Sequence, residues 1–301
     1  MSDTTASLRR KITSAGDLQS VVRTMKALAA SSIGQYEQSV RALSDYYRTV
    51  ELGLSVCFRG DGSAAWMNGT PRRTGADAIG AVVFGSDQGL VGQFNDVVSD
   101  AAAEALAGRP GKAEVWAVGE RVHGRLADAG LPLVGLFNVP NSVQAIATLV
   151  GQILVESETR LSQGEVIEFY LFYNRLTSEA VYAPTSQRLL PLDENWRRRL
   201  IEHPWPTGNL PELMGDDIST LRALIREYLF VSLFRACAES LASENASRLA
   251  AMQRADKNID ELLEDLNGTF YRLRQSVIDD ELFDVIAGFE ALIGVRKQPQ
   301  L

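Results

Sequence analysis

The chain is short of the residues that most chemistry requires. Two cysteines, Cys57 and Cys237, and two histidines, His123 and His203, are spread over 301 residues with no ligand spacing between them. That count excludes a disulfide framework and a zinc-type cluster, and no Ser/His/Asp or Cys/His set can be assembled from it. Both cysteines stand among apolar neighbours in expected helices and read as small core residues of a reduced protein. There is no apolar run near the roughly 20 residues that cross a bilayer, and the first residues lack the apolar core of a secretory signal. Attachment to a membrane is therefore expected only through other proteins. With a net charge of −8 the chain also lacks the basic excess of a phosphate-binding face, so nucleic acid is not its expected partner.

Proline is missing where it matters most. None precedes Pro71 and none lies between Pro211 and Pro299. Within the first proline-free stretch apolar residues fall at Leu18, Val22, Met25, Ala29, Ile33, Tyr36, Val40, Leu43, Tyr47, Val50 and Leu54, and within the last at Ile259, Leu262, Leu266, Phe270, Leu273 and Val277. Steps alternating between three and four keep one stripe turned toward a partner helix. Two such segments at opposite ends of one chain are expected to pack on each other, antiparallel, as a shaft whose far end carries the middle of the chain. The first helix should start near Thr4 or Thr5, whose hydroxyls can cap it, and the second should run over most of Leu213–Leu292.

Between them the signals alternate. After a loop at 60–75, rich in Gly, Asn and Pro, strands are expected at Ile79–Phe84, Glu114–Val118, Leu133–Val139, Val166–Tyr173 and Val181–Leu190, the last an edge because of Pro184. Helices are expected at Phe94–Ala107, Glu120–Ala129 and Ser142–Leu161, and a loop or connector over Pro191–Pro211. The fold class is α/β: a long antiparallel coiled coil of N- and C-terminal helices plus a central, largely parallel sheet. The organisation reads as a shaft helix over 1–59, an α/β domain over 76–192 and a second shaft helix over 209–301.

The stretch from Gly85 to Asn95 follows the first strand and opens a helix, where phosphate-cradling loops sit, but its glycine spacing fits neither a dinucleotide fingerprint nor a P-loop. A tight structural turn with Asn95 near the helix start and a protein-contact loop are its other readings. Arg197-Arg198-Arg199 reads either as a docking patch or as a solvated helix face, and basic residues at Arg9, Arg10, Lys11, Arg23 and Lys26 face an acidic C-terminal segment in the sequence.

Four blocks give the chain a family resemblance: Leu8–Ile12 through Thr24-Met25-Lys26 to Ala29-Ala30-Ser31; Ser86-Asp87-Gln88-Gly89-Leu90-Val91-Gly92; Pro184–Leu192 after Tyr173-Asn174-Arg175; and Leu241–Glu244 through Arg248–Met252 to Tyr271–Gln275, ending in Ile278–Gly288. In this order they resemble the gamma subunit, the central rotor shaft, of F-type ATP synthases. The chain departs from that pattern with Gln88 and Val91 for the family's Arg and Cys, Asp279 for its Thr, and Phe289 for an Ala, which suggests a diverged branch. The resemblance implies a non-catalytic subunit that transmits torque between a membrane c ring and an alpha/beta hexamer whose beta subunits hold the catalytic sites. It also implies ATP synthesis driven by protons or sodium, or ion pumping driven by ATP. Its implied partners are the alpha, beta and epsilon subunits and the c ring, with no cofactor and no metal, on the cytoplasmic face of a bacterial inner membrane. Carried over residue by residue, Met25, Arg248, Gln275 and Asp279 become contacts to beta subunits, and Asp87, Gly89 and Gly92 mark the family-like loop. A small-molecule-binding flavodoxin-like protein and a generic coiled-coil scaffold are the alternatives.

Overall fold

The structure is a computed structural model that describes residues 4–59, 78–109, 111–162, 166–178, 180–192, 194–202, 204–209, 211–213 and 216–295. The loop expected at 60–75 and His203 lie outside the described residues. Two compact units are formed, a helical one from Met1–Ala27 with Ala250–Leu301 and a mixed one from Leu28–Leu249.

Two long helices contribute to both units. Helix α1 (Thr5–Arg59) begins where the Thr4 hydroxyl accepts the backbone N–H of Ser7 at 3.2 Å, a side-chain cap on one of the free amides of the first turn. Its inner face is a strict alternation of fours and threes. Leu8, Ala15, Val22, Ala29, Tyr36, Val50 and Cys57 are buried on one line of seven-residue steps, with half-buried Leu43 between Tyr36 and Val50, and Ile12, Gln19, Lys26, Ile33, Val40, Tyr47 and Leu54 are buried or half-buried on the line beside it. This corrects an expected position. Leu18 is 55% exposed, and the seam place beside it goes to Gln19, because the repeat that fits 22 to 54 runs back to residue 19 rather than 18. Leu262 of the C-terminal stripe is corrected likewise: it is 49% exposed while Leu263 packs inward in its place.

In the helical unit, α1 faces helix α6 (Asp217–Val295, 79 residues) across a small cluster of Ala15, Val22, Met252 and Ile259, flanked by Met25, Ala251, Ala255 and Leu263. Polar groups complete the contact. Gln19 bonds to Asp260, whereas Lys26, two turns further on, bonds to Asp256 one turn back at 2.7 Å, so the helices run antiparallel. Beyond Leu273 the expected stripe has no cover among the described residues: Val277, like Ile278, Leu282 and Phe283, is exposed.

In the mixed unit, α1 and α6 again run antiparallel, with the Tyr46 hydroxyl on Glu227 at 2.8 Å and Gly53 against Leu224. The rest is an α/β sheet: β1 (Ala78–Phe84), α2 (Phe94–Ala107), β2 (Lys112–Val118), α3 (Glu120–Asp128), β3 (Leu133–Phe137), α4 (Val143–Ser162), β4 (Val166–Arg175), β5 (Ala183–Leu190) and α5 (Glu194–Glu202). The strand order is β3-β2-β1-β4-β5, parallel except for β5, which runs antiparallel along the edge and carries Pro184. Strand alternation gives each face its own core. Ile79, Ala81 and Val83 join Val115, Ala117 and Phe172 under α2 and α3. On the other face Val82, Phe84, Trp116, Phe169 and Leu171 meet α4 and the segments of α1 and α6.

The connector expected over Pro191–Pro211 contains a helix, α5. Its Glu194 accepts two bonds from Arg197 at 2.9 Å and lies 3.6 Å from Arg198, the three- and four-residue pairing that steadies a short helix. Leu200 is buried, and the Trp196 ring packs edge-on against Phe58 and Tyr228. Arg197 and Arg198 are thus engaged within the helix. Cys57 and Cys237 are both buried free thiols, pushed up by that burial.

Candidate coupling surface

The loop after β1 is built from side chains that close on its own backbone. Buried Asn95 accepts the N–H of Ser86 at 3.0 Å and donates to the Ser86 hydroxyl at 2.9 Å, the structural turn expected there. The Ser86 carbonyl takes the N–H of Arg121. Asp87 accepts the N–H of Glu120 at 3.0 Å and that of Val139 at 2.9 Å, so one carboxylate ties together the segments that follow β1, β2 and β3. Gly119, with φ of 115°, permits this: a Cβ there would lie 2.7 Å from the Ser86 backbone. At the apex Gly89 has open space around it, Gly92 has φ of 57°, and Leu90 takes the left-handed φ of 63° while 61% exposed. Left-handed backbone at a leucine is strained and persists only where its surroundings hold it.

What holds the apex includes α6. The Ser247 hydroxyl donates to the Val91 carbonyl at 2.5 Å. One residue on, Arg248 pairs with Glu244 at 2.6 Å and reaches Asn245 at 3.4 Å. Burial pushes the Glu244 carboxyl above the ordinary carboxylate range, more than Arg248 draws it down, and Asp87 adds to the rise. Nearby Tyr36 is raised by burial and by Glu244. One turn earlier in α6, Glu239 takes Arg235 at 2.8 Å, and Tyr173 is pushed up to about 12, chiefly by burial and then by Glu239.

The expected coupling residues fall into two sets. Arg248 and the loop of Asp87, Gly89 and Gly92 are brought together in the mixed unit through Ser247 and Val91. Met25, Gln275 and Asp279 belong to the helical unit, where Met25 is half-buried against the cluster of Val22, Met252 and Ile259, and Gln275 and Asp279 are exposed on α6, 16 and 20 residues beyond Ile259. At 1.5 Å per residue those separations are about 24 and 30 Å along the helix. The residues passed over at the sequence level are Glu244, Ser247, Asp256 and Asp260. A Glu four residues before an Arg was the available signal for the first. Among the described residues no group of three or more His, Cys, Asp and Glu could hold a metal ion, and no helix is long and apolar enough to cross a membrane.

These features define a chain whose two ends pair as long antiparallel helices and whose middle builds a mostly parallel sheet with helices on both faces. Its sequence matches the ATP synthase family over residues 4–292. The "ATP synthase gamma chain" of Clavibacter sepedonicus is 30% identical over 293 residues, 94% of this chain and 96% of that one, and the gamma chain of Rhizobium johnstonii is 28% identical over 95% and 98%. The chain belongs to the ATP synthase gamma-chain family. In fold it is similar to a chain of the Euglena gracilis mitochondrial ATP synthase (OSCP/F1/c-ring), with a TM-score of 0.64, 16% identity and 98% of this chain covered against 97% of that one. A Tetrahymena thermophila central stalk/c-ring chain gives 0.54 at 20% identity, covering 78% and 99%.

Proposed function

We propose that this chain is the central-stalk rotor subunit of an F-type ATP synthase. The observation that carries the reading is the family match over residues 4–292, together with terminal helices that find their partner within the same chain, as a shaft requires and a scaffold joining other chains does not. The subunit is non-catalytic. ATP chemistry belongs to the beta subunits of an alpha/beta ring in which the paired helices turn, and the sheet-bearing part meets the epsilon subunit and the c ring. It is held at the cytoplasmic face of the bacterial inner membrane by those contacts. Coupling in such a machine is a difference in contact energy among beta conformations as an asymmetric shaft turns past them.

Met25, Arg248, Gln275 and Asp279 are the residues through which we read that contact. An ionised Asp279 accepts hydrogen bonds and donates none, so the beta subunit facing it must bring a donor. Co-expression with the alpha and beta subunits of the same organism tests the function. One complex should co-purify and hydrolyse ATP, while the single chain turns over none. Failure to join alpha and beta, or robust turnover by the chain alone, overturns the reading.

A further inference from the structure

Leu90 breaks two rules at once. Its backbone takes φ of 63°, a region that costs a residue with a Cβ and costs glycine nothing. Its side chain is 61% exposed and joins none of the apolar clusters of the described residues. Glycine stands at 89 and again at 92, where φ is 57°, so the turn has glycine to hand and still carries a leucine at its tip. Within the chain that leucine gains no burial to offset the strain. Its neighbour faces the other way. Val91 is buried, and its carbonyl receives the Ser247 hydroxyl at 2.5 Å. Val91 and α6 thus fix the tip from inside, while Asp87 ties the base to the amides of Glu120 and Val139. A large aliphatic group turned outward on a backbone fixed at both ends is preorganised for a complementary surface, because little freedom is left to lose on contact. Strain kept at one outward residue and held by its surroundings is the mark of a binding site. The tip carries no charge from Gln88 to Gly92, which calls for an apolar socket. Ser247 immediately precedes Arg248 on α6, so the tip adjoins the residue read as meeting a beta subunit.

We propose that Leu90 is a docking side chain for the beta subunits, entering an apolar socket as the shaft turns past them, and that Ser247 is its positioning residue, holding the tip through the Val91 carbonyl. This rests on the reading of the chain as a rotor whose Arg248 meets the beta subunits. Ser247 itself touches no partner and acts through the direction of Leu90.

Three substitutions of Leu90 separate docking from a role within the chain. Leu90→Ala keeps the Cβ and its strain but truncates the side chain. ATP-driven pumping by the assembled complex should fall about tenfold, the loss expected when one leucine is no longer buried on contact, at an unchanged melting temperature of the single chain. Leu90→Gly should pump as slowly while raising that melting temperature by about 2–4 °C, since glycine takes the same φ without strain. Leu90→Met keeps an apolar side chain of similar volume and should lose no more than about threefold. Ser247→Ala should slow pumping too, and in the Leu90→Ala background it should add nothing. Normal pumping by Leu90→Ala, a melting temperature lowered by Leu90→Gly, or a Leu90→Met complex as slow as Leu90→Ala overturns the docking role. Normal pumping by Ser247→Ala, or losses from the two alanine substitutions that multiply, overturn the positioning role. A photoreactive benzophenone side chain in place of Leu90 identifies the partner. It should crosslink to beta in the assembled complex; crosslinks to alpha alone, to a second copy of this chain or to no chain overturn the assignment. Failure of the unsubstituted chain to co-purify with alpha and beta is a failure of the rotor reading instead.

Discussion

In the mixed unit, α1 brings Tyr36, Tyr47, Leu54 and Cys57 to a core that includes Leu221, Tyr228 and Leu233 of α6, backed by a whole sheet. In the helical unit the same two helices meet through Ala15, Val22, Met252 and Ile259, with Gln19, Arg23 and Lys26 converging on Asp256 and Asp260. The first contact is wide, aromatic and apolar. The second is narrow, has few apolar side chains and no aromatic one, and is lined with charge. An apolar seam supplies stability but tolerates sliding by a turn, while a polar group at a seam position satisfies its partner in one register only. The mixed unit is therefore read as the stable part and the helical unit as the part whose alignment is specified at a cost in stability.

The largest test of that difference is Phe84→Ala. This side chain is fully buried between sheet and helices, and its loss should cost about 3–5 kcal/mol in denaturant unfolding of the full chain. Ile259→Ala removes the largest buried aliphatic group of the helical cluster. A cost of about 2 kcal/mol is expected, at the lower end for such a change because so few neighbours surround it. Hydrogen exchange should show that loss in 10–26 and 252–263 while amides of β1 and β4 keep their protection; a loss shared equally by both units would erase the comparison.

Acid should separate the units next. The Asp256 carboxyl is held below the ordinary range, first by Lys26 and then by Arg23. A carboxyl lowered in the folded state stabilises it above the ordinary carboxylate value, near 4, and that contribution is lost as pH falls through the folded value. Exchange protection of residues 15–26, corrected for the intrinsic rate, should fall below about pH 4 in the native chain, and Asp256→Asn should abolish this step. The smallest effect is reserved for Lys257→Ala. It breaks an exposed pair at 3.7 Å and should change stability by less than about 0.5 kcal/mol. A loss as large as that of Ile259→Ala would mean that surface charge carries as much of the helical unit as its buried seam does.

Much of this architecture was legible in the sequence because it follows from apolar spacing and proline. The run Ile79–Phe84 is apolar throughout, as a strand covered on both faces must be, and Pro184 marks the edge that β5 occupies. Helix α2 spans Phe94–Ala107 as its pattern indicates. Legibility failed where polar residues do the packing. Leu18 looks like a seam residue and Gln19 does not, yet Gln19 holds the place because its amide reaches two aspartates on a segment more than 230 residues away. Helix α5 hid behind flanking prolines, tryptophan and three arginines, although Glu194 sits at the spacing that pairs with two of them. At the candidate surface, Arg248 is found through its resemblance to the family, but nothing in apolar periodicity distinguishes buried Glu244 from any solvated glutamate. Its burial depends on how α6 lies beside the Ser86–Gly92 loop, which is a tertiary fact.

Cys57 and Cys237 give the mixed unit a chemical property that the helical unit lacks. Both thiols are buried there and pushed up by burial, and it is the thiolate that reacts. A thiol reagent at neutral pH therefore passes over the native chain. It also passes over chains in which only the paired segments around Val22 and Ile259 have come apart. Labelling begins when the mixed unit opens, so its rate in excess reagent reports that opening alone. Fraying of the helical unit leaves no mark, and the native sequence carries its own selective reporter without an added label.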